Sequence, residues 1–78
     1  MKSITISLNS IDRVKGFVNI ISRYDGEFDL ASDRYVVDAK SIMGIFSLDL
    51  SKNLRLDLHT DSANTEKLLA ELQAFVVA

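Results

Sequence analysis

A serine directly before an apolar run is the clearest candidate for chemistry in this chain of 78 residues. The stretch reads AKSIMGIF, residues 39–46, and Ser41 is its third residue. A serine at this point is typical of a helix cap, because its oxygen accepts a hydrogen bond from an otherwise unpaired backbone N–H. A phosphate on its hydroxyl would add roughly −1.5 to −2 charges at the positive end of the helix dipole. We therefore expect Ser41 to begin a short helix at the surface, either as a plain cap or as a phosphorylation switch that leaves the fold intact.

The apolar residues of the same stretch allow two interpretations. At helical spacing, apolar residues usually form a core face, and we expect this of Ile45 and Leu48. Residues that point outward would instead form an exposed patch of the kind that marks a partner-binding site, and methionine suits such a surface because it adapts its shape. The candidates for this patch are Ile42, Met43 and Phe46.

Other reactive groups are sparse in the sequence. The single histidine, His59, stands at the end of a predicted strand on its outward face, and we interpret it as an exposed histidine paired with a neighbour. The chain has no cysteine, so it has neither a disulfide nor a thiolate metal site. No metal-ligand cluster, nucleophile triad or glycine-rich phosphate loop stands out in the sequence. We therefore expect a protein that is not an enzyme and that uses no metal or cofactor.

The hydrophobic pattern predicts the elements that position these residues. Alternating polarity predicts a first strand over residues 4–8. Ser10 then stands where a helix cap belongs. The apolar face of the helix that follows consists of Ile11, Val14, Phe17, Val18 and Ile21. The segments EFDLA and RYVVDA predict two short strands, joined by a turn at residues 32–33.

The second half of the chain begins with the least certain element. Residues 41–50 favour a short helix, but Gly44 weakens a helix and a strand is the alternative. Residues 54–60, LRLDLHT, form the clearest strand, with the leucines facing inward. Its outward positions are Arg55, Asp57 and His59. Ser62 or Asn64 caps a final helix. The buried stripe of this helix consists of Leu68, Leu69, Leu72, Phe75 and Val76.

The predicted order is strand, helix, strand, strand, short helix, strand, helix. Connections of hairpin length and alternating polarity favour an antiparallel sheet. We therefore predict an α+β open-faced sandwich (βαββαβα), in which helices cover one face of a four-stranded antiparallel sheet. The length allows one domain, residues 1–78.

Charge and hydropathy exclude several kinds of partner. The formal net charge is −2 and no cluster of Lys or Arg is present, so we expect no nucleic-acid binding. The first ten residues alternate in polarity, unlike a signal peptide. No run approaches the roughly 20 apolar residues of a membrane helix. We therefore expect a cytoplasmic protein whose partners are proteins, and the sequence leaves its oligomeric state open.

Three segments carry a resemblance to a known family. VDAKSIMGIFSLDLSKN, residues 37–53, resembles the central segment of HPr, the small phosphocarrier of the bacterial sugar phosphotransferase system. SRYDGEFDL before it and DSANTEKLLAEL after it lie at the corresponding distances. Chain length and element order resemble the family from end to end. The resemblance implies the open-faced sandwich and a role that depends on protein partners.

The start of the first helix departs from the family pattern. The phosphocarriers have a Gly-Ile-His-Ala-Arg-Pro run there, whose histidine takes the phosphoryl group, whereas this chain reads NSIDRVKG, residues 9–16. Without gaps, Ser10 stands at the histidine position and Asp12 at the arginine position; a small gap puts Asp12 in the histidine's place. Imidazole suits a reversible relay because its unperturbed pKa is about 6.5. A serine ester is too stable to pass the group on, but an aspartyl phosphate is energetic enough. Phosphotransfer through Asp12 or Ser10 is therefore an alternative, and a structural domain unrelated to sugar uptake is another.

The resemblance also implies a role for Ser41. In Gram-positive members a serine in this motif is phosphorylated by an ATP-dependent kinase, HPr kinase, and the product docks on a transcriptional regulator of carbon catabolite repression. The catabolite-repression HPr-like proteins lack the histidine but keep the serine, and this sequence is similar to theirs. We expect Lys40 to screen a phosphate on Ser41. The implied partner surface consists of Ile42, Met43, Phe46, Asp12, Lys15 and Gly16.

Overall fold

The computed structural model describes residues 2–33, 35–59 and 63–77. In chain order its elements are β1 (Lys2–Ile6), α1 (Ile11–Ile21), β2 (Phe28–Ala31), β3 (Val36–Asp38), α2 (Ile42–Phe46), β4 (Leu54–Leu58) and α3 (Ala63–Glu71). This succession confirms the order expected from the hydrophobic pattern. The short helix α2, rather than a strand, follows β3.

The four strands form one antiparallel sheet in the order β1-β4-β2-β3. One apolar rung crosses the whole sheet, with Ile4 opposite Leu56, Leu56 opposite Leu30, and Leu30 opposite Val37. The helices bury this face, and their inward residues join those of the sheet in a single core. The predicted α+β open-faced sandwich is therefore confirmed.

Large aliphatic and aromatic side chains fill this core. Burying each one stabilises the fold by about 1.5–3 kcal/mol relative to leaving it in water. The fully buried members are Ile6, Leu8, Val14, Phe17, Ile21, Leu30, Ile45, Leu54, Leu56, Leu58, Leu68 and Leu72. Helix α2 contributes Ile45, and this buried residue anchors its inner side.

One residue of the predicted α1 face lies outside the core. Val14, Phe17 and Ile21 are buried, but Ile11 is 61% exposed. Since 3.6 residues complete a turn, Ile11 lies at the margin of this face beside Val18, which is itself only half-buried. The exposed isoleucine adds apolar surface at the start of α1.

Strand β4 presents its leucines to the core and Asp57 to the opposite face, as predicted, but Asp57 is buried on that face. Its side chain is only 11% exposed. Ser3 Oγ donates a hydrogen bond to Asp57 Oδ1 at 2.7 Å, and Arg55 Nε donates another at 2.9 Å. Burial raises the pKa of Asp57. The hydrogen bonds from Ser3 and Arg55 lower it by more than burial raises it, so the pKa of Asp57 lies below its ordinary value.

The final helix differs from its prediction at both ends. Asn64 lies inside α3, which begins at Ala63, so it is not the cap; Ser62 lies outside the described residues. The helix ends at Glu71, and the chain then runs beside the end of β1. Val76 forms an isolated antiparallel bridge with Ile6, and the expected stripe continues past the helix into this segment. Within the stripe, Leu68, Leu72 and Phe75 are buried, and Leu69 and Val76 are half-buried.

Candidate functional site

Ser41 is the N-cap of α2, as the sequence predicted. Its backbone is extended (φ −96°, ψ 105°), and its Oγ accepts a hydrogen bond from the Gly44 N–H at 3.2 Å. Its carbonyl oxygen accepts from the Ile45 N–H at 3.0 Å, which closes the first turn. The residue as a whole is half-buried.

The position of Ser41 depends on the absence of a side chain at Gly44. A Cβ at residue 44 would lie 3.2 Å from Val37 Cβ and 3.3 Å from Ser41 Oγ, both closer than an ordinary contact. Glycine therefore lets α2 approach β3 and lets the Ser41 hydroxyl reach the helix N-terminus. The residue that weakens the helix by propensity is the one that allows it to pack.

Lys40 contacts the connection between α1 and β2. Its Nζ donates a hydrogen bond to the Tyr24 carbonyl oxygen at 2.7 Å and lies 5.4 Å from the centroid of the Phe28 ring. The backbone N–H of Lys40 donates to Asp38 Oδ1 at 2.9 Å. Lys40 thus joins the turn before α2 to the middle of the α1–β2 connection. An ammonium has three donors, so the expectation that Lys40 screens a phosphate on Ser41 stays a prediction.

Helix α2 divides its apolar residues between the core and the surface. Ile45 and Leu48 are buried, as expected. The other three, which we call the α2 patch, are Ile42, Met43 and Phe46. Met43 is 78% exposed and Phe46 is 41% exposed, whereas Ile42 is half-buried against the core. The helix contains no charged residue, so this patch is an uncharged apolar surface next to Ser41.

The residues named on the first helix are accessible, but they have different surroundings. Ser10 Oγ accepts a hydrogen bond from the Arg13 N–H at 3.2 Å and caps α1, as predicted. Asp12 and Lys15 are exposed. Gly16 is half-buried and faces the Phe75 ring, because a Cβ there would lie 3.5 Å from Phe75 Cζ. Helix α1 packs against α2, so both halves of the expected surface belong to neighbouring helices.

Arg13 is a residue whose role the sequence pattern does not reveal. Its Nε and Nη2 donate to the Ser7 carbonyl oxygen at 3.1 and 3.0 Å, and Nη2 also donates to the Ala74 carbonyl oxygen at 3.1 Å. Its Cζ lies 5.0 Å from the centroid of the Phe75 ring. The guanidinium joins the β1–α1 connection to the segment after α3, and it is committed to backbone carbonyls rather than to an anion. Ala74 is 61 residues away in the chain, so no local signal could have identified the contact.

His59 lies on the face of the sheet opposite the helices. Its Nε2 is 2.6 Å from Asp29 Oδ2, which agrees with the interpretation of a histidine paired with a neighbour. Asp29 stands directly opposite both Asp57 and Asp38 in the sheet. Like charges in opposite positions destabilise a sheet, and the contact with His59 gives the Asp29 carboxylate a hydrogen-bond partner in this acidic cluster. The histidine therefore has a structural partner far from the start of α1.

Two general features of the described residues concern possible ligands and membranes. Among residues 2–33, 35–59 and 63–77, no group of three or more His, Cys, Asp or Glu side chains is arranged to hold a metal ion. None of the helices in this part of the chain is long and apolar enough to span a membrane.

Comparison with known proteins identifies the family. The model of the PTS HPr component phosphorylation site matches residues 13–78. The chain belongs to the HPr family. The match starts at Arg13, so Ser10 and Asp12 precede it. No match was found among curated proteins.

Solved HPr structures share the fold. The HPr-C-His protein from Thermoanaerobacter tengcongensis is 30% identical, with a TM-score of 0.74 over 92% of this chain and 90% of that one. The phosphocarrier protein HPr from Bacillus anthracis is 28% identical, with a TM-score of 0.68 over 97% of this chain and 94% of that one. HPr proteins are phosphocarriers of the phosphotransferase system, which act by interacting with the other proteins of that system.

Proposed function

We propose that this chain is a regulatory binding protein of the HPr family, phosphorylated at Ser41 and unable to relay phosphate through a histidine. It is not an enzyme in this proposal, and it acts in the cytoplasm with other proteins of the phosphotransferase system. The observation that carries the proposal is the position of Ser41, which caps α2, the short helix that exposes Met43.

The surroundings of α1 support the loss of histidine relay. Its start carries Ser10 and Asp12, whereas His59 lies on the opposite face of the sheet in contact with Asp29. The histidine relay passes through a phosphoramidate on a nucleophile that is neutral near pH 7, and neither serine nor aspartate can form one. The nearby guanidinium of Arg13 is occupied by backbone carbonyls.

A phosphate on Ser41 would alter the surface without breaking the core. The hydroxyl already lies 3.2 Å from the Gly44 N–H, so phosphate oxygens would remain close to a backbone donor. Such a contact with a helix terminus stabilises an anion by about 0.3–1 kcal/mol at an exposed site. The phosphate would add negative charge next to the uncharged α2 patch. A partner that binds this surface would therefore distinguish the phosphorylated from the unphosphorylated protein.

The proposed partners are HPr kinase and a transcriptional regulator of carbon catabolite repression. Both would contact the α2 patch together with Asp12, Lys15 and Gly16 on α1. The exposure of Met43 and Phe46 supports the α2 part of this surface. The exposed carboxylate of Asp12 supports a partner that differs from those of phosphocarriers, whose surface carries an arginine there.

Incubation with HPr kinase and ATP tests the proposal. We expect intact-mass spectrometry to show the addition of one phosphate to the wild type, and none to Ser41→Ala. Ser47→Ala is the matched control: Ser47 caps the other end of α2 and is exposed, and this variant should be labelled like the wild type. Absence of label under conditions that label a phosphocarrier HPr would refute the switch.

A second candidate function is phosphotransfer through the start of α1. The observation in its favour is that Asp12 is exposed in the first turn, where the helix dipole favours a negative group. Incubation with phosphoenolpyruvate and the first enzyme of the system would then produce a hydroxylamine-sensitive phosphate that Asp12→Asn lacks, or a stable one that Ser10→Ala lacks. If neither phosphoenolpyruvate nor ATP labels the chain, a structural domain outside sugar uptake is the better description.

A further inference from the structure

Met43 has an unusual combination of exposure and chemistry. It is 78% exposed, the highest value among the large apolar side chains of the described residues. The sequence contains no cysteine and no tryptophan, and its only other methionine is Met1. Oxidation of sulfur side chains follows their accessibility, so the Met43 thioether is the group at this surface that an oxidant reaches first.

We propose that Met43 is a reversible oxidation site whose sulfoxide turns the α2 patch from apolar to polar. The expected effect on docking rests on the function proposed above, whereas the modification itself does not. The oxidant is hydrogen peroxide. A sulfur lone pair attacks one peroxide oxygen, the S–O bond forms as the O–O bond breaks, and the other oxygen leaves as water after proton transfer. Sulfur loses two electrons and peroxide gains them; a reductase with a dithiol reverses the step, giving water and a disulfide.

The surroundings of Met43 confine the effect of oxidation to the polarity of the α2 patch. Between the two serine caps, α2 reads Ile-Met-Gly-Ile-Phe and has no polar side chain. One sulfoxide oxygen would therefore place a polar side-chain acceptor on a helix whose own side chains have none. The inner side of the helix is held by Ile45, which is fully buried, and Met43 is not part of that core. The fold should tolerate the modification while the patch loses its apolar character.

Kinetics of peroxide oxidation test the site itself. The full chain is treated with hydrogen peroxide at neutral pH, and peptide mapping by mass spectrometry separates Met43 from Met1. The control variant M43L/L56M moves the internal methionine to a fully buried position. A Leu-to-Met exchange nearly conserves side-chain volume. If circular dichroism shows that this control is not folded, Leu30→Met takes the place of Leu56→Met, because Leu30 is also fully buried. We expect Met43 to oxidise at least about tenfold faster than the buried methionine.

The consequence is measured on the oxidised protein. We expect earlier elution in hydrophobic-interaction chromatography, an unchanged circular dichroism spectrum, and recovery of the original elution after treatment with methionine sulfoxide reductases A and B. Labelling of Ser41 by HPr kinase should slow several-fold after oxidation. In Met43→Leu, treatment with peroxide should leave the rate of Ser41 labelling unchanged.

Four results would overturn the proposal: equal oxidation rates at exposed and buried positions, unchanged elution, no recovery with the reductases, or unchanged kinase labelling after oxidation. If the kinase fails to label even the untreated protein, the function proposed for Ser41 is wrong. The oxidation rates and the elution then still decide whether Met43 is the site.

Discussion

The two glycines inside helices should respond in opposite ways to substitution by alanine. Gly16 lies in α1 and Gly44 lies in α2, so alanine at either position gains helix propensity of about 0.8–1 kcal/mol. At residue 16 a new Cβ meets the edge of the Phe75 ring at 3.5 Å, an ordinary contact. At residue 44 it meets Val37 Cβ at 3.2 Å and Ser41 Oγ at 3.3 Å, which is overpacked.

The sign at residue 44 follows from which atom must move. Val37 Cβ is bonded directly to the backbone of β3, so it cannot give way without moving the strand. Overpacking of this kind costs about 1–3 kcal/mol, more than the gain in propensity. We therefore expect Gly44→Ala to lower the free energy of unfolding by up to about 2 kcal/mol. Gly16→Ala should raise it by about 1 kcal/mol, a shift in Tm of about 4–8 °C for a domain of this size.

Urea denaturation monitored by circular dichroism measures both variants against the wild type. The midpoints should move in opposite directions with unchanged m values, because neither substitution alters the surface exposed on unfolding. Gly44→Ala should also slow labelling of Ser41, since the new methyl group displaces its hydroxyl. If Gly44→Ala stabilises the protein as much as Gly16→Ala does, the close packing of α2 against β3 is not as described, and the position of Ser41 loses its basis.

Three further substitutions test individual contacts. Ser41→Ala removes the cap of α2 and should lower the free energy of unfolding by about 1 kcal/mol in urea titrations. Asp57 has a lowered pKa in the folded state, so its contribution is present above its unfolded pKa of about 3.9 and is lost as the pH falls through the folded pKa. Stability measured below about pH 4 should therefore fall less steeply in Asp57→Asn than in the wild type. Arg13→Met leaves the carbonyl oxygens of Ser7 and Ala74 without their charged donor and should cost about 1.5–3 kcal/mol, with labelling of Ser41 unchanged. If Arg13→Met is as stable as the wild type, the hydrogen bonds from Arg13 to these two carbonyl oxygens do not stabilise the fold.

Most of the fold could be predicted from the period of the hydrophobic pattern. Alternation identified the strand with Leu54, Leu56 and Leu58 inward, because a sheet with one covered face enforces a period of two. The caps at Ser10 and Ser41 were predictable because each depends on a hydrogen bond only three residues away. Local chemistry decides such features, so the sequence displays them.

Features that depend on distant residues could not be predicted. Asp57 is buried because Ser3, which is 54 residues away in the chain, lies beside it. The early end of α3 depends on the bridge between Val76 and Ile6. The contact of the Lys40 ammonium with the Tyr24 carbonyl oxygen, 16 residues away in the chain, has no local signal in the sequence. The sequence identified candidate residues for the site, but their contacts are set by tertiary packing.

Phosphopeptide mapping after two parallel reactions tests the central claim most directly. One reaction contains HPr kinase and ATP, and the other contains phosphoenolpyruvate with the first enzyme of the phosphotransferase system. We expect one phosphate from ATP, located on Ser41, and none from phosphoenolpyruvate. A phosphate delivered from phosphoenolpyruvate to Ser10, Asp12 or His59, with Ser41 unlabelled by the kinase, would contradict the account.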